Sequence, residues 1–121
     1  MVLCERGIYT FEGRTRFTLD LSAVALVKQL CHLPVIVDPS HATGNSDLVA
    51  PLTLAALAAG ADGVLLDVHH NTAAALCDGP QALHPAEFGV LMGRLQLLLS
   101  ALGRQLAPRP EAPAAKLAAL L

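Results

Sequence analysis

Val35-Ile36-Val37 is an uninterrupted β-branched run that stops at Asp38-Pro39. A strand with one wet face alternates apolar and polar residues. A continuous run instead suits a parallel sheet covered on both faces. Pro39 has no N–H and holds Asp38 extended, so the ladder must end there. Ser40 and His41 then fall just past the carboxyl end of a strand, where α/β folds gather ligands and catalytic groups. A loop is expected from there to Asp47.

The same strand-then-helix order recurs on either side. Val2-Leu3-Cys4 reads as a first strand running into Glu5-Arg6-Gly7, with a polar loop to about Asp20. A helix near Ser22–Cys31 follows, with Ala23, Leu26, Val27 and Leu30 on its apolar side. After the second strand, Asp47 is a plausible N-cap. Pro51 then falls in the first turn, Leu52 to Ala59 continues the helix, and Gly60 ends it. Gly63-Val64-Leu65-Leu66 reads as a third strand reaching Asp67-Val68-His69. A last helix from Pro85 to about Leu102 carries Phe88, Leu91, Met92, Leu95, Leu98, Leu99 and Leu102 at helical spacing, with Gly103 to stop it. Residues 104–121 are rich in Pro and Ala and read as a disordered tail after a body of 1–103.

Strands alternating with helices imply parallel βαβ units. Three such units leave two open sheet edges and an uncovered face. The expectation is therefore the end of a larger α/β protein, associating through those edges or as a homo-oligomer. Composition agrees: 54% of the 121 residues are hydrophobic, and mean hydropathy is +0.53. Charges, prolines and glycines interrupt every apolar run well short of the roughly 18 residues a membrane helix needs. A net charge of −2 and few aromatics give no footprint for nucleic acid. Three cysteines at irregular spacing, with no secretory leader pattern, point to a reduced cytoplasmic setting. Cys4, Cys31 and Cys77 each read as small packing residues.

Every strand delivers polar groups at its carboxyl end: Glu5 and Arg6, then Asp38 and His41, then Asp67 and His69, with Asp78 in the following loop. Singly, each is compatible with a cap, a turn or a surface ion pair. Parallel strands would bring them to one rim. An imidazole with two carboxylates suits a divalent ion of the Mn, Fe, Zn or Co class better than Ca or Mg. Arg6 offers a planar fork for a phosphate or carboxylate.

CERGIYTFEGRTRFTLDLSAV, VDPSHATGNSDLVAPL and GADGVLLDVHHNTAAALCDGPQAL, in that order, resemble the carboxy-terminal third of the 3-deoxy-D-arabino-heptulosonate 7-phosphate (DAHP) synthases. The resemblance is to the branch related to 3-deoxy-octulosonate 8-phosphate synthase and runs over about residues 2–100. It implies the last three units of a (β/α)8 TIM barrel, incomplete by themselves. It further implies a metal-dependent, aldol-like condensation of phosphoenolpyruvate with erythrose 4-phosphate, at the entry to the shikimate pathway. By position, His41, Asp67 and Asp78 match metal ligands at the catalytic centre, and Arg6 matches the arginine holding the phosphate of phosphoenolpyruvate. The octulosonate synthases are the near alternative, and a non-catalytic remnant that folds by association is another.

Some positions depart from the family pattern. Asp67 stands where glutamate is usual and is one methylene shorter. Tyr9, Phe17, Asn45-Ser46 and His70 replace residues usual on the substrate-side loops. One metal-binding cysteine of the family belongs to an earlier strand, and Cys4 is not its counterpart.

Overall fold

A computed structural model describes residues 1–108. The part of the expected tail at 109–121 lies outside the described residues. Three strands form a parallel sheet in sequential order: β1 (Leu3–Glu5), β2 (Val35–Val37) and β3 (Gly63–Val64). Between and after them come α1 (Leu21–Leu30), α2 (Pro39–Thr43), α3 (Ser46–Ala58) and α4 (Pro85–Ala101). Short 3-10 turns occupy Thr72–Ala74 and Gly79–Gln81.

The register aligns Leu3 with Val35, and Glu5 with Val37 and Val64, on one side of the sheet. Val35 and Val37 there join Val49, Ala56 and Leu57 of α3 and Leu91, Leu95 and Leu99 of α4 in one buried core. Each buried leucine contributes about 1.5–3 kcal/mol. The opposite side presents Cys4, Ile36 and Gly63, and Ile36 is only partly covered. The β-branched run is thus packed on one face among the described residues, not on both.

Helix α4 buries the face its periodicity predicts. His84 caps it, and His84 N–H in turn donates to Glu87, closing a capping box. Helix α1 differs from expectation. Val24 is its buried residue, whereas Leu26 and Leu30 are exposed. The helix turns the Val24–Val27 side to the sheet, leaving an i, i+4 leucine stripe outside.

The stretch after Asp38 is a helical turn, not a loop. Asp38 accepts a hydrogen bond from His41 N–H at 3.0 Å, Pro39 fills the first helical position, and Gly44 (φ +66°) ends α2. Asn45 rather than Asp47 then caps α3, accepting from Asp47 N–H at 3.0 Å. Helix α3 therefore starts earlier, and Pro51 lies within it. Prolines cannot donate to the carbonyl four residues back, so this position costs α3 one bond.

Beyond β3 the chain exchanges ladder bonds for others. Leu65 N–H still reaches Val37 O, but Asp67 N–H donates to the Ser40 hydroxyl at 3.2 Å. Asp67 O and His69 N–H then pair with Leu83, tying both ends of the 70–82 loop together. Arg104 is anchored, its guanidinium donating to Leu57 O and Ala61 O. Cys4 and Cys77 are exposed, contrary to the packing role expected for them, because one lies on the open sheet face and the other in the 70–82 loop.

Candidate functional site

The parallel arrangement brings the polar strand ends to one rim around the imidazole of His41. Asp38 is the deepest member, its side chain 0% exposed against 54% for Arg6. Arg6 Nε stands 3.0 Å from Asp38 Oδ2. His41 Nδ1 stands 3.1 Å from Oδ1 and 2.9 Å from Oδ2 of the same carboxylate. Oδ2 accepts no aligned hydrogen bond, so its pairing with Arg6 is ionic.

Asp67 and Asp78 flank the imidazole. Asp67 Oδ2 lies 3.6 Å from Nδ1, and Asp78 Oδ2 lies 4.0 Å from Nε2. The two carboxylates also border a shared cleft of about 370 Å³ with Leu66, Val68 and Ala82. Asp78 takes a left-handed conformation (φ 55°) just before the Gly79–Gln81 turn. Arg16 Nη1 approaches its other oxygen at 3.6 Å.

Of the four site residues expected from the sequence, Asp67 and Asp78 thus lie beside the His41 imidazole, and Arg6 is linked to it through Asp38. His69 lines the cleft that Asp67 and Asp78 border but makes no polar contact with them. Its Nδ1 bonds the backbone of Asn71, and its ring stacks on His70 at 4.7 Å. Asp38, already expected at the rim, holds Arg6 and His41. Two residues that sequence reasoning did not assign to the site belong beside it: Gln81 Nε2 donates to Asp67 Oδ2 at 2.6 Å, and Arg16 pairs with Asp78. Asp38 carried a signal in DPSH, since a carboxylate directly after a buried run must find partners. Gln81 carried none, as a glutamine in a loop is ordinarily wet.

The loop that presents Arg6 is held from below. Glu5 Oε1 accepts from Gly7 N–H at 2.8 Å and Asp20 N–H at 3.2 Å, tying β1 to the start of α1. Partial burial and the nearby Asp38 charge push the Cys4 thiol above its ordinary value, Arg6 opposing.

The donor types suit a borderline divalent cation. Among the described residues, however, no three of His, Cys, Asp and Glu are gathered as a cage. Asp67 faces one ring nitrogen of His41 and Asp78 the other. Nε2 and Asp78 share the open side, while Asp67 is engaged by Gln81. A roomier concavity, about 520 Å³, lies elsewhere, between β3 and α4 against residues 104–107. It is apolar and holds none of the rim residues.

The chain is similar to known proteins over most of its length. Phospho-2-dehydro-3-deoxyheptonate aldolase of Thermotoga maritima is 50% identical over 103 residues, 85% of this chain and 30% of the relative. The solved structure of a truncated 3-deoxy-D-arabino-heptulosonate 7-phosphate synthase from that organism superposes with a TM-score of 0.86 at 48% identity. It covers 88% of this chain and 40% of that one. A 2-dehydro-3-deoxyphosphooctonate aldolase of Desulfosudis oleivorans is 36% identical over 94 residues, 69% of this chain and 33% of the relative. The chain spans about a third of the length of the curated relatives it matches. Residues 1–100 match the DAHP synthetase I family, and the chain belongs to that family.

Proposed function

We propose that these residues form part of the catalytic rim of a 3-deoxy-7-phosphoheptulonate synthase, within the last three units of a (β/α)8 barrel. The observation that carries this is the meeting of Arg6, His41, Asp67 and Asp78 past the carboxyl ends of three parallel strands. That is the face on which barrels of this kind place their chemistry. The 50% identity to the Thermotoga phospho-2-dehydro-3-deoxyheptonate aldolase supports the same reading.

The reaction joins carbon three of phosphoenolpyruvate to the aldehyde carbon of erythrose 4-phosphate. Water adds at carbon two, and phosphate leaves with the electrons of its bond to that carbon. Arg6, half exposed and steadied by Asp38, is placed to hold the phosphate by its outer guanidinium nitrogens. His41 Nε2 and Asp78 would hold a divalent ion of the Mn, Fe, Zn or Co class. Asp67, now turned to Nδ1 and Gln81, would have to swing toward it to join as a ligand. When bound, such an ion supplies Lewis acidity toward an aldehyde oxygen or a water. Gln81 keeps the shorter Asp67 side chain at the rim, and Ser40 fixes its backbone.

The exposed Leu26 and Leu30 stripe, Leu65 and the open side of the sheet support association with further barrel units or a second copy. Free thiols at Cys4, Cys31 and Cys77 fit a reducing, cytoplasmic setting.

The octulosonate relative motivates a second reading, and carbon count separates the two. A seven-carbon product needs a four-carbon acceptor, and an eight-carbon product a five-carbon one. The test is to join this chain to the remaining units of the Thermotoga relative and supply each aldose phosphate with phosphoenolpyruvate and Mn²⁺. Consumption of the four-carbon acceptor supports the proposal. Exclusive use of the five-carbon acceptor moves the chain to the octulosonate reaction. A folded but inert chimera supports the non-catalytic reading.

A further inference from the structure

We infer that Asp38 is a positioning residue that fixes His41 in its Nδ1–H tautomer, so that the free lone pair of Nε2 faces the rim. This rests on the proposed role of His41 as a metal ligand, and it adds a residue to that site.

Asp38 is fully buried, and donors converge on it from two elements. From α2 come the backbone N–H of His41 (3.0 Å to Oδ1) and its ring Nδ1 (3.1 Å to Oδ1, 2.9 Å to Oδ2). From the end of β1 comes Arg6 Nε, 3.0 Å from Oδ2. A carboxylate paired with a guanidinium accepts but does not donate. In the neutral ring the shared proton therefore sits on Nδ1, and Nε2 is the acceptor on the Asp78 side. Asp67 cannot set the tautomer, because 3.6 Å is too long for a hydrogen bond and its Oδ2 is taken by Gln81.

Capping alone does not explain a buried charge at this position. Serine or asparagine would cap α2 equally well without the desolvation cost of a carboxylate. Asparagine keeps the one oxygen that both His41 N–H and Nδ1 reach, but it puts an NH₂ in place of Oδ2, 2.9 Å from Nδ1 and 3.0 Å from Arg6 Nε. A donor facing Nδ1 favours the Nε2–H tautomer and removes the lone pair from the rim. Carboxylate–histidine pairs of this geometry commonly sustain metal affinity by one to two orders of magnitude.

The test compares the native chain with Asp38→Asn by two readouts. Ring ¹⁵N shifts report the His41 tautomer, and cobalt titration followed by visible absorption reports metal affinity. The expected result is Nδ1–H in the native chain, a shift toward Nε2–H in the variant, and a fall in Co²⁺ affinity of about 10–100-fold. Native His41 found as Nε2–H overturns the inference, and that measurement stands even if the variant does not fold. A tautomer unmoved by Asp38→Asn overturns it as well, whatever the cobalt affinity does. A tautomer that moves while neither chain binds Co²⁺ upholds Asp38 as the positioning residue and removes the metal role of His41.

Discussion

Gln81 Nε2 lies 2.6 Å from Asp67 Oδ2, so a fully buried amide from the loop after β3 grips a carboxylate at the rim. Oε1 of the same amide has no partner, which is a cost the fold retains. Replacing Gln81 with Glu sets two carboxylates against each other in a dry place. The expected loss is about 1–3 kcal/mol at neutral pH, measured by urea unfolding. Gln81→Leu removes donor and orphan oxygen together and should change stability much less. Equal losses in the two variants would show that repulsion between the two carboxylates adds nothing.

Gly7 is required by both conformation and space. Its φ is +93°, and a Cβ there would stand 2.5 Å from Phe17 Cβ and 3.3 Å from Ala42 Cβ. Gly7→Ala should cost about 1–3 kcal/mol from the strained backbone and displace Arg6 next to it. A thermal melt matching the native one would refute this.

Asn45 should be worth about 1 kcal/mol to α3 as its cap, because Asn45→Ala leaves Asp47 N–H without its acceptor. Asp47→Ala should matter less, since Asp47 is inside the first turn. Urea midpoints of the two variants give the ranking, and the reverse order would restore Asp47 as the cap.

Asp62 ties α1 to β2. It accepts from Lys28 Nζ at 2.7 and 2.9 Å and from Val35 N–H at 2.8 Å. The Lys28 hydrogen bond, against partial burial, holds its carboxyl below the ordinary 3.8. A carboxyl lowered by folding stabilises the fold above its ordinary value, and this is lost as pH falls through the folded value. The pair is a third exposed, so screening limits it to below about 1 kcal/mol. Native and Asp62→Asn midpoints should differ at pH 7 and converge below that window. A gap that persists in acid would contradict the assignment.

Association is expected in solution. The Leu26–Leu30 stripe and the open side of the sheet leave apolar area that a second copy or further units would cover. Sedimentation at micromolar concentration should give a mass above 12.6 kDa. Leu26→Glu together with Leu30→Glu should reduce it. A native chain sedimenting as a monomer would count against the idea.

Local sequence determined the order of the strands and of the three longer helices, though not the short α2. The run at Val35–Val37, the leucine spacing of α4 and glycines at 60 and 103 act through neighbours within a turn or a strand, so they are legible without the fold. The three motifs likewise carried the family and the identities of Arg6, His41, Asp67 and Asp78. Tertiary structure alone decided what those side chains meet. Asp38 reaches back to Arg6 across the β1–β2 register, Gln81 returns to Asp67 through the bridge at Leu83, and α1 chooses Val24 over Leu26 for its buried side. Each of these depends on distant backbone being brought alongside. Periodicity and propensity describe single elements, and a hydrogen bond between two elements exists only once their relative placement is set.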